Sequence, residues 1–169
     1  MIIRIAKILM VASVGLLIVL IGLNNVLDYQ TNFEVVRHIL SMDTIPADSP
    51  LRWRAIASPA LHHLSYGFII AVEFAAGALC LYGARRLLRE LHAEGRRFNA
   101  AKAMAVAGLV TAFSLYFLGF MAVGGEWFQM WRSNGFNEQE PAFRFIGCVG
   151  LVLVFLNQRD EELEPGRNI

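Results

Sequence analysis

Charge is scarce in this sequence. Asp, Glu, Lys and Arg supply 17% of the 169 residues, where soluble domains carry about a quarter. A chain so poor in charge is neither intrinsically disordered nor a heptad-built coiled coil. Its two cysteines, Cys80 and Cys148, are too few for a disulfide-stapled secreted mini-protein. A net formal charge of +1 gives nucleic acid no electrostatic hold. Catalytic signatures are missing too: there is no Gly-x-Ser-x-Gly, no glycine-rich phosphate loop and no His-Glu-x-x-His. What the chain has in excess is apolar surface, with 56% hydrophobic residues and a mean hydropathy of +0.49. Its solvent is the bilayer.

Four stretches can cross a hydrocarbon core, which needs roughly 20 residues of helix. They are residues 5–23, 61–84, 103–124 and 142–157. The fourth is short, reaching about 24 Å at ~1.5 Å per residue, and carries Arg144 near its start. The first ends Gly22-Leu23-Asn24-Asn25 with no small-x-small cleavage site, so it reads as a retained span and not a signal peptide. The expected fold is all-α: one integral membrane domain over 1–169, an up-down-up-down bundle of four transmembrane helices. In that topology Arg4 and Lys7 share a side with the 85–102 loop and the 158–169 tail. Ten of the fifteen basic residues lie on that side, and the positive-inside rule makes it cytoplasmic. Both termini are then inside, and the 24–60 and 125–141 loops outside. The polar tail reads as frayed.

The first outer loop carries helix-start signals. Thr31-Asn32-Phe33-Glu34 reads as a capping box, Thr31 at N-cap and Glu34 at N3. It would open a helix with Phe33, Val36, Ile39 and Leu40 on one face. Ser49-Pro50 and Ser58-Pro59 place proline at a first helical position, the second of them at the start of the second span. Trp53 between Arg52 and Arg54 suits a short helix in the headgroup layer. Together these predict a small helical cap over the outer end of the bundle. The 85–102 loop, basic with Leu87, Leu88, Leu91 and Phe98 interleaved, reads as a topology signal with helix extensions; contact with anionic headgroups is the alternative. Gly67, Gly77, Gly108, Gly119, Gly147 and Gly150 lie inside spans, where they let helices approach closely.

Glu73 is the residue that most demands an account. A mid-span acid costs roughly 2.5–3.5 kcal/mol on insertion scales and has to face the bundle or a wet cavity. At about 100° per residue, His62, Tyr66 and Glu73 project from nearly one helical face, continued by Gly77 and Cys80. This polar stripe suits a small-molecule, quinone or proton-handling site; the bland alternative is interhelical hydrogen bonding by Glu73. No metal or haem is expected. His62 and His63 point apart, His38 lies in the outer loop within possible reach of them, and no two spans carry histidines at matching depth. The two cysteines sit at opposite depths, beyond the ~7 Å that a disulfide spans. At the outer boundary Trp127 and Trp131, four apart, share a helical face beside Glu126 and Arg132. With Trp53 they form an aromatic belt or, more sharply, an interface for a partner.

Four strings resemble a bacterial family of predicted small integral membrane proteins, a domain of unknown function. They are Asn25-x-x-Asp28-Tyr29-x-Thr31-Asn32, His38-x-x-Ser41-Met42-Asp43-Thr44, Glu126-Trp127-Phe128-x-Met130-Trp131-x-Ser133 and Asn137-x-Gln139-x-x-Ala142-Phe143-Arg144. The resemblance spans about residues 5–157 and implies four helices and a membrane address, with no activity or cofactor. In a bacterial cell the orientation above means the inner membrane. The functional expectation is a small protein without an evident catalytic site: an accessory or structural subunit that contacts lipid and other membrane subunits, or itself. The alternative is the small-molecule or proton site at His62, Tyr66 and Glu73.

Overall fold

A backbone in hydrocarbon has to pair its own amides within the segment, which helices do and open strands do not. The computed structural model, which describes residues 1–162, is accordingly helical. Helix α1 spans Ile2–Leu27 and α2 spans Tyr29–Ser41, with only Asp28 between them. Helix α3 runs Pro59–Arg89, with Ser58 at its N-cap and Pro59 as its first residue. The short α4, Gly95–Ala101, leads into α5, Ala103–Ser114, which continues as a π-helical segment over Leu115–Trp127. Helix α6 covers Gln139–Asn157, and 3-10 turns at Arg52–Arg54 and Met130–Arg132 complete the connections. Four helical units are long and apolar enough to cross a membrane: Ile2–Leu27, Pro59–Arg89, Gly95–Trp127 and Gln139–Asn157.

These units pack antiparallel, α1 on α3, α3 on α5 and α5 on α6. The centre is filled by Val11, Ile18, Ala76, Cys80, Ala105, Leu109 and Val149. Small residues set the approach. A methyl at Gly77 would stand 2.6 Å from Val19, one at Gly108 2.6 Å from the Cys80 amide, and one at Gly83 would collide with the backbone of Ala105. Of the six span glycines expected to allow close approach, Gly77 and Gly108 do so, and Gly83 is a third that was not expected. Among the described residues Gly67 and Gly147 meet nothing within 4 Å, and Gly119 and Gly150 make only ordinary contacts.

At the end where α1 begins and α6 ends, charge is buried and paired. The Lys7 and Lys102 ammonium groups each lie 2.6 Å from the Asp160 carboxylate, and each donates to the Gln158 carbonyl at 2.7 Å. Burial raises the Asp160 pKa, but its bonds to Lys102 and Lys7 outweigh that and hold it below the ordinary carboxylate value. Arg4, 2% exposed, donates to the carbonyls of Leu91, Ala93 and Glu161. The tail expected to fray is thus pinned through 158–162; its remainder, with Arg167, lies outside the described residues.

The opposite end carries the cap, in a form that departs from expectation in two places. Because α1 continues to Leu27, α2 starts at Tyr29 with Asp28 as N-cap. Thr31 is therefore already inside the helix, and its hydroxyl donates to Asp28 Oδ1 at 2.9 Å. Glu34 bonds Arg37 at 2.7 Å instead of a cap amide, and that bond draws its carboxyl below the ordinary value. Ser49-Pro50 yields no α-helix, only the 3-10 turn at Arg52–Arg54. The cap core is Leu40, Met42, Ile45 and Phe128. Hydrogen bonds knit the two loops: Ser49 Oγ to Gln129 Oε1 at 2.7 Å, and the Asn134 amide to the Thr44 carbonyl at 3.1 Å.

Candidate functional site

The polar stripe on α3 is buried as its spacing predicts: His62 is 4%, Tyr66 1% and Glu73 2% exposed. The structure then divides the three. His62 Nε2 lies 2.7 Å from the carbonyl of Ile56, which fastens the chain leading into α3, and His62 lines no part of the cavity described next. Tyr66 and Glu73 face a half-open chamber of about 180 Å³ lined by α1, α2, α3, the π segment and α6.

A relay of side chains reaches Glu73 from the cap. Asn32 of α2 donates to Asn25 Oδ1 at 2.7 Å, and Asn25 of α1 donates to Glu73 Oε2 at 2.8 Å. Tyr66 donates to the Asn25 carbonyl at 3.1 Å. Glu73 therefore does join α1 to α3, as the interhelical alternative requires, but through one oxygen. Its other oxygen accepts no bond among the described residues. Above the chamber lies an aromatic collar: Phe33 stacks on His63 at 4.1 Å, Tyr29 meets Tyr66 edge-on at 4.7 Å, and the Tyr29 hydroxyl lies 2.8 Å from His63 Nδ1.

The far wall comes from the π segment. It is wound with i→i+5 bonds, as in the Phe128 amide to Val123 carbonyl bond at 3.0 Å. Tyr116 and Phe120, four apart, both line the chamber, and Tyr116 stacks on Phe145 of α6 at 4.5 Å. Tyr116 is 5% exposed, and its hydroxyl finds no hydrogen-bond partner among the described residues. Glu138, at the start of α6, completes the polar lining. Asn25, Asn32, Tyr116 and Glu138 were not singled out as site residues. Only the two asparagines carry a signal, by standing within the resemblance strings; Tyr116 carries none, because it continues the buried Leu109–Ala112 face of an apolar run as a core residue would.

Beside the chamber lies an apolar groove of about 540 Å³ beneath α2, between α3 and the π segment. The two hollows share Val36, Ile69 and Phe120 as common walls.

The expected aromatic interface takes a different form. The helix ends at Trp127, and Gln129 adopts a left-handed backbone (φ 55°), so Trp127 and Trp131 are not i,i+4 neighbours on one helix. Trp127 instead meets Trp53 edge-on at 6.1 Å, with the Arg54 guanidinium 4.3 Å over its ring. Arg132 reaches Ser49 Oγ at 3.3 Å and lies 5.8 Å from the Trp131 ring centroid. All three tryptophans are exposed. His38 turns to Asp43 and Phe136, not to His62 or His63.

Four apolar helical units crossed by one buried polar relay define a multi-pass integral membrane protein. The chain belongs to the family described as predicted small integral membrane protein (DUF2165), whose profile matches residues 3–159. Neither the curated proteins nor the solved structures contain a match to it.

Proposed function

We propose that this protein binds a small molecule in the chamber walled by Glu73, Tyr66 and Tyr116. The observation that carries this reading is the Tyr116 hydroxyl: buried, without a protein partner, and in the wall of the cavity that Glu73 faces. An unpaired buried hydroxyl costs about 1–3 kcal/mol, and a bound molecule that pairs with it removes that cost. Native mass spectrometry after gentle extraction tests the reading. Wild type is expected to retain a small non-covalent adduct that the Tyr116→Phe, Glu73→Gln double variant loses. Wild type free of any adduct under conditions that keep lipid bound would overturn it.

A second reading, as an accessory subunit of a larger inner-membrane complex or a self-associating one, is favoured by the exposed Trp53–Trp127 pair with Arg54 clamped over it. Rigid aromatic and arginine side chains are the residues that anchor interfaces. The same native-mass measurement tests it: a strictly monomeric protein with no co-purifying partner counts against it.

For either role we propose the bacterial inner membrane with both termini cytoplasmic, an orientation supported by the ten-to-five split of basic residues. Asp48, exposed in the cap, gives the test. A cysteine there, in a background lacking Cys80 and Cys148, should react with impermeant reagent from the periplasm. Reaction from the cytoplasm alone would invert the topology.

A further inference from the structure

The charge in the chamber is of one sign. Glu73 and Glu138 line it, and among the described residues no lysine, arginine or histidine does. Neither carboxylate has an ion-pair partner among the described residues. The donor that Glu73 does receive, from Asn25, is neutral. The walls are aromatic: Tyr66, Tyr116, Phe120 and Phe145 all line the space, and aromatic faces attract cations. The unpartnered Tyr116 hydroxyl offers a lone pair to an N–H donor. A volume of about 180 Å³ equals about six waters at ~30 Å³ each. That suits an ammonium head with a few methylenes. A phosphate or carboxylate would meet two acids and no base.

The groove supplies the other half of such a ligand. No charged residue lines its roughly 540 Å³, and Ser65 is the one hydroxyl among side chains such as Phe68, Leu115, Val123 and Met130. It abuts the chamber across Val36, Ile69 and Phe120.

We propose that chamber and groove together bind an amphiphilic amine, its ammonium between Glu73, Glu138 and the Tyr116 hydroxyl and its hydrocarbon chain in the groove. This rests on the small-molecule reading above and names the ligand's class. The ammonium has two sources in a membrane, a free lipophilic amine or the headgroup of an ethanolamine lipid, and the test separates them.

The full-length protein in dodecyl maltoside is melted with octylammonium, 1-octanol or octanoate, and separately with added phosphatidylethanolamine. Octylammonium should raise Tm by several degrees, with an apparent affinity at least tenfold weaker in Glu73→Gln and several-fold weaker in Tyr116→Phe. Octanol and octanoate should give no shift that depends on either residue. Tyr116→Phe keeps the ring and its stacking, so it reports on the hydroxyl even if Glu73→Gln folds poorly. A residue-dependent shift with phosphatidylethanolamine as well would assign the amine to a lipid; a shift with octylammonium alone, to a free amine. Octanol matching octylammonium would overturn the cation while leaving a small-molecule site. No residue-dependent shift with any probe would overturn the amine outright, and the adduct measurement then judges the small-molecule reading separately.

Discussion

Tyr116→Phe should make the ligand-free protein more stable, the reverse of what removing a buried polar group usually does. The hydroxyl has lost water without gaining a partner among the described residues, a state that costs about 1–3 kcal/mol. Phenylalanine keeps the ring stacked on Phe145 at 4.5 Å and removes only the oxygen. Taking the low end, because a chamber of about 180 Å³ admits some water, the gain is about 1 kcal/mol. For a chain of this length that corresponds to a Tm rise of about 2–4 °C. The assay is thermal unfolding in a neutral detergent after delipidation, wild type against variant, without added ligand. A fall of a degree or more would show that the hydroxyl is paired in the native protein, and the argument from Tyr116 to a ligand would go with it.

Helix packing gives a matched pair of tests. Gly83→Ala drives a methyl into the backbone of Ala105 and should cost about 1–3 kcal/mol, whereas Gly67→Ala, in mid-helix with nothing among the described residues within 4 Å, should stabilise by about 0.4–1 kcal/mol; thermal melts of the two read the contrast. Asn25→Ala strands both Asn32 and Glu73 and should cost about 1–3 kcal/mol, seen as earlier unfolding of the α1–α3 pair in hydrogen exchange. Asp160→Asn leaves Lys7 and Lys102 without their carboxylate and should cost about 3 kcal/mol, with residues 158–162 becoming protease-sensitive. Since the folded Asp160 value lies below the ordinary 3.8, wild type keeps this contribution above about pH 4 and loses it as the pH falls through the depressed folded value; an Asn variant whose stability deficit stayed constant through that fall would be evidence against the ion pair.

The fold was legible because hydrophobic run length is a one-dimensional signal. Residues 5–23 and 61–84 lie within α1 and α3, and Ser58-Pro59 marks the start of α3. Facial geometry was legible only where the helix is regular. Tyr66 and Glu73 obey a 3.6-residue period and share a cavity, but Trp127 and Trp131 fail because Gln129 turns left-handed between them. Tyr116 continues the buried face of Leu109 and Ala112 at helical spacing and so reads as one more core residue in an apolar run. Local cap grammar misled at Thr31 because helix α1 carries on further than its apolar run and displaces the next start to Tyr29. The pinning of the tail was out of reach for another reason: Arg4 and Glu161 are partners across the whole chain, and no local pattern announces such a pairing.

That long-range closure has a consequence for how the protein is made. Lys7 is made 153 positions before Asp160, the carboxylate that pairs with it. At about 5–20 residues per second, the cation waits on the order of ten seconds or more for the residue that neutralises it. Until then the end of α1 carries bare charge at the membrane surface, held near the headgroups by its own cost of burial. Once residues 158–161 have been made, these contacts draw Arg4 and Lys7 into the protein and tie α1 to the segment after α6, so this end of the bundle is sealed late, by residues remote in sequence.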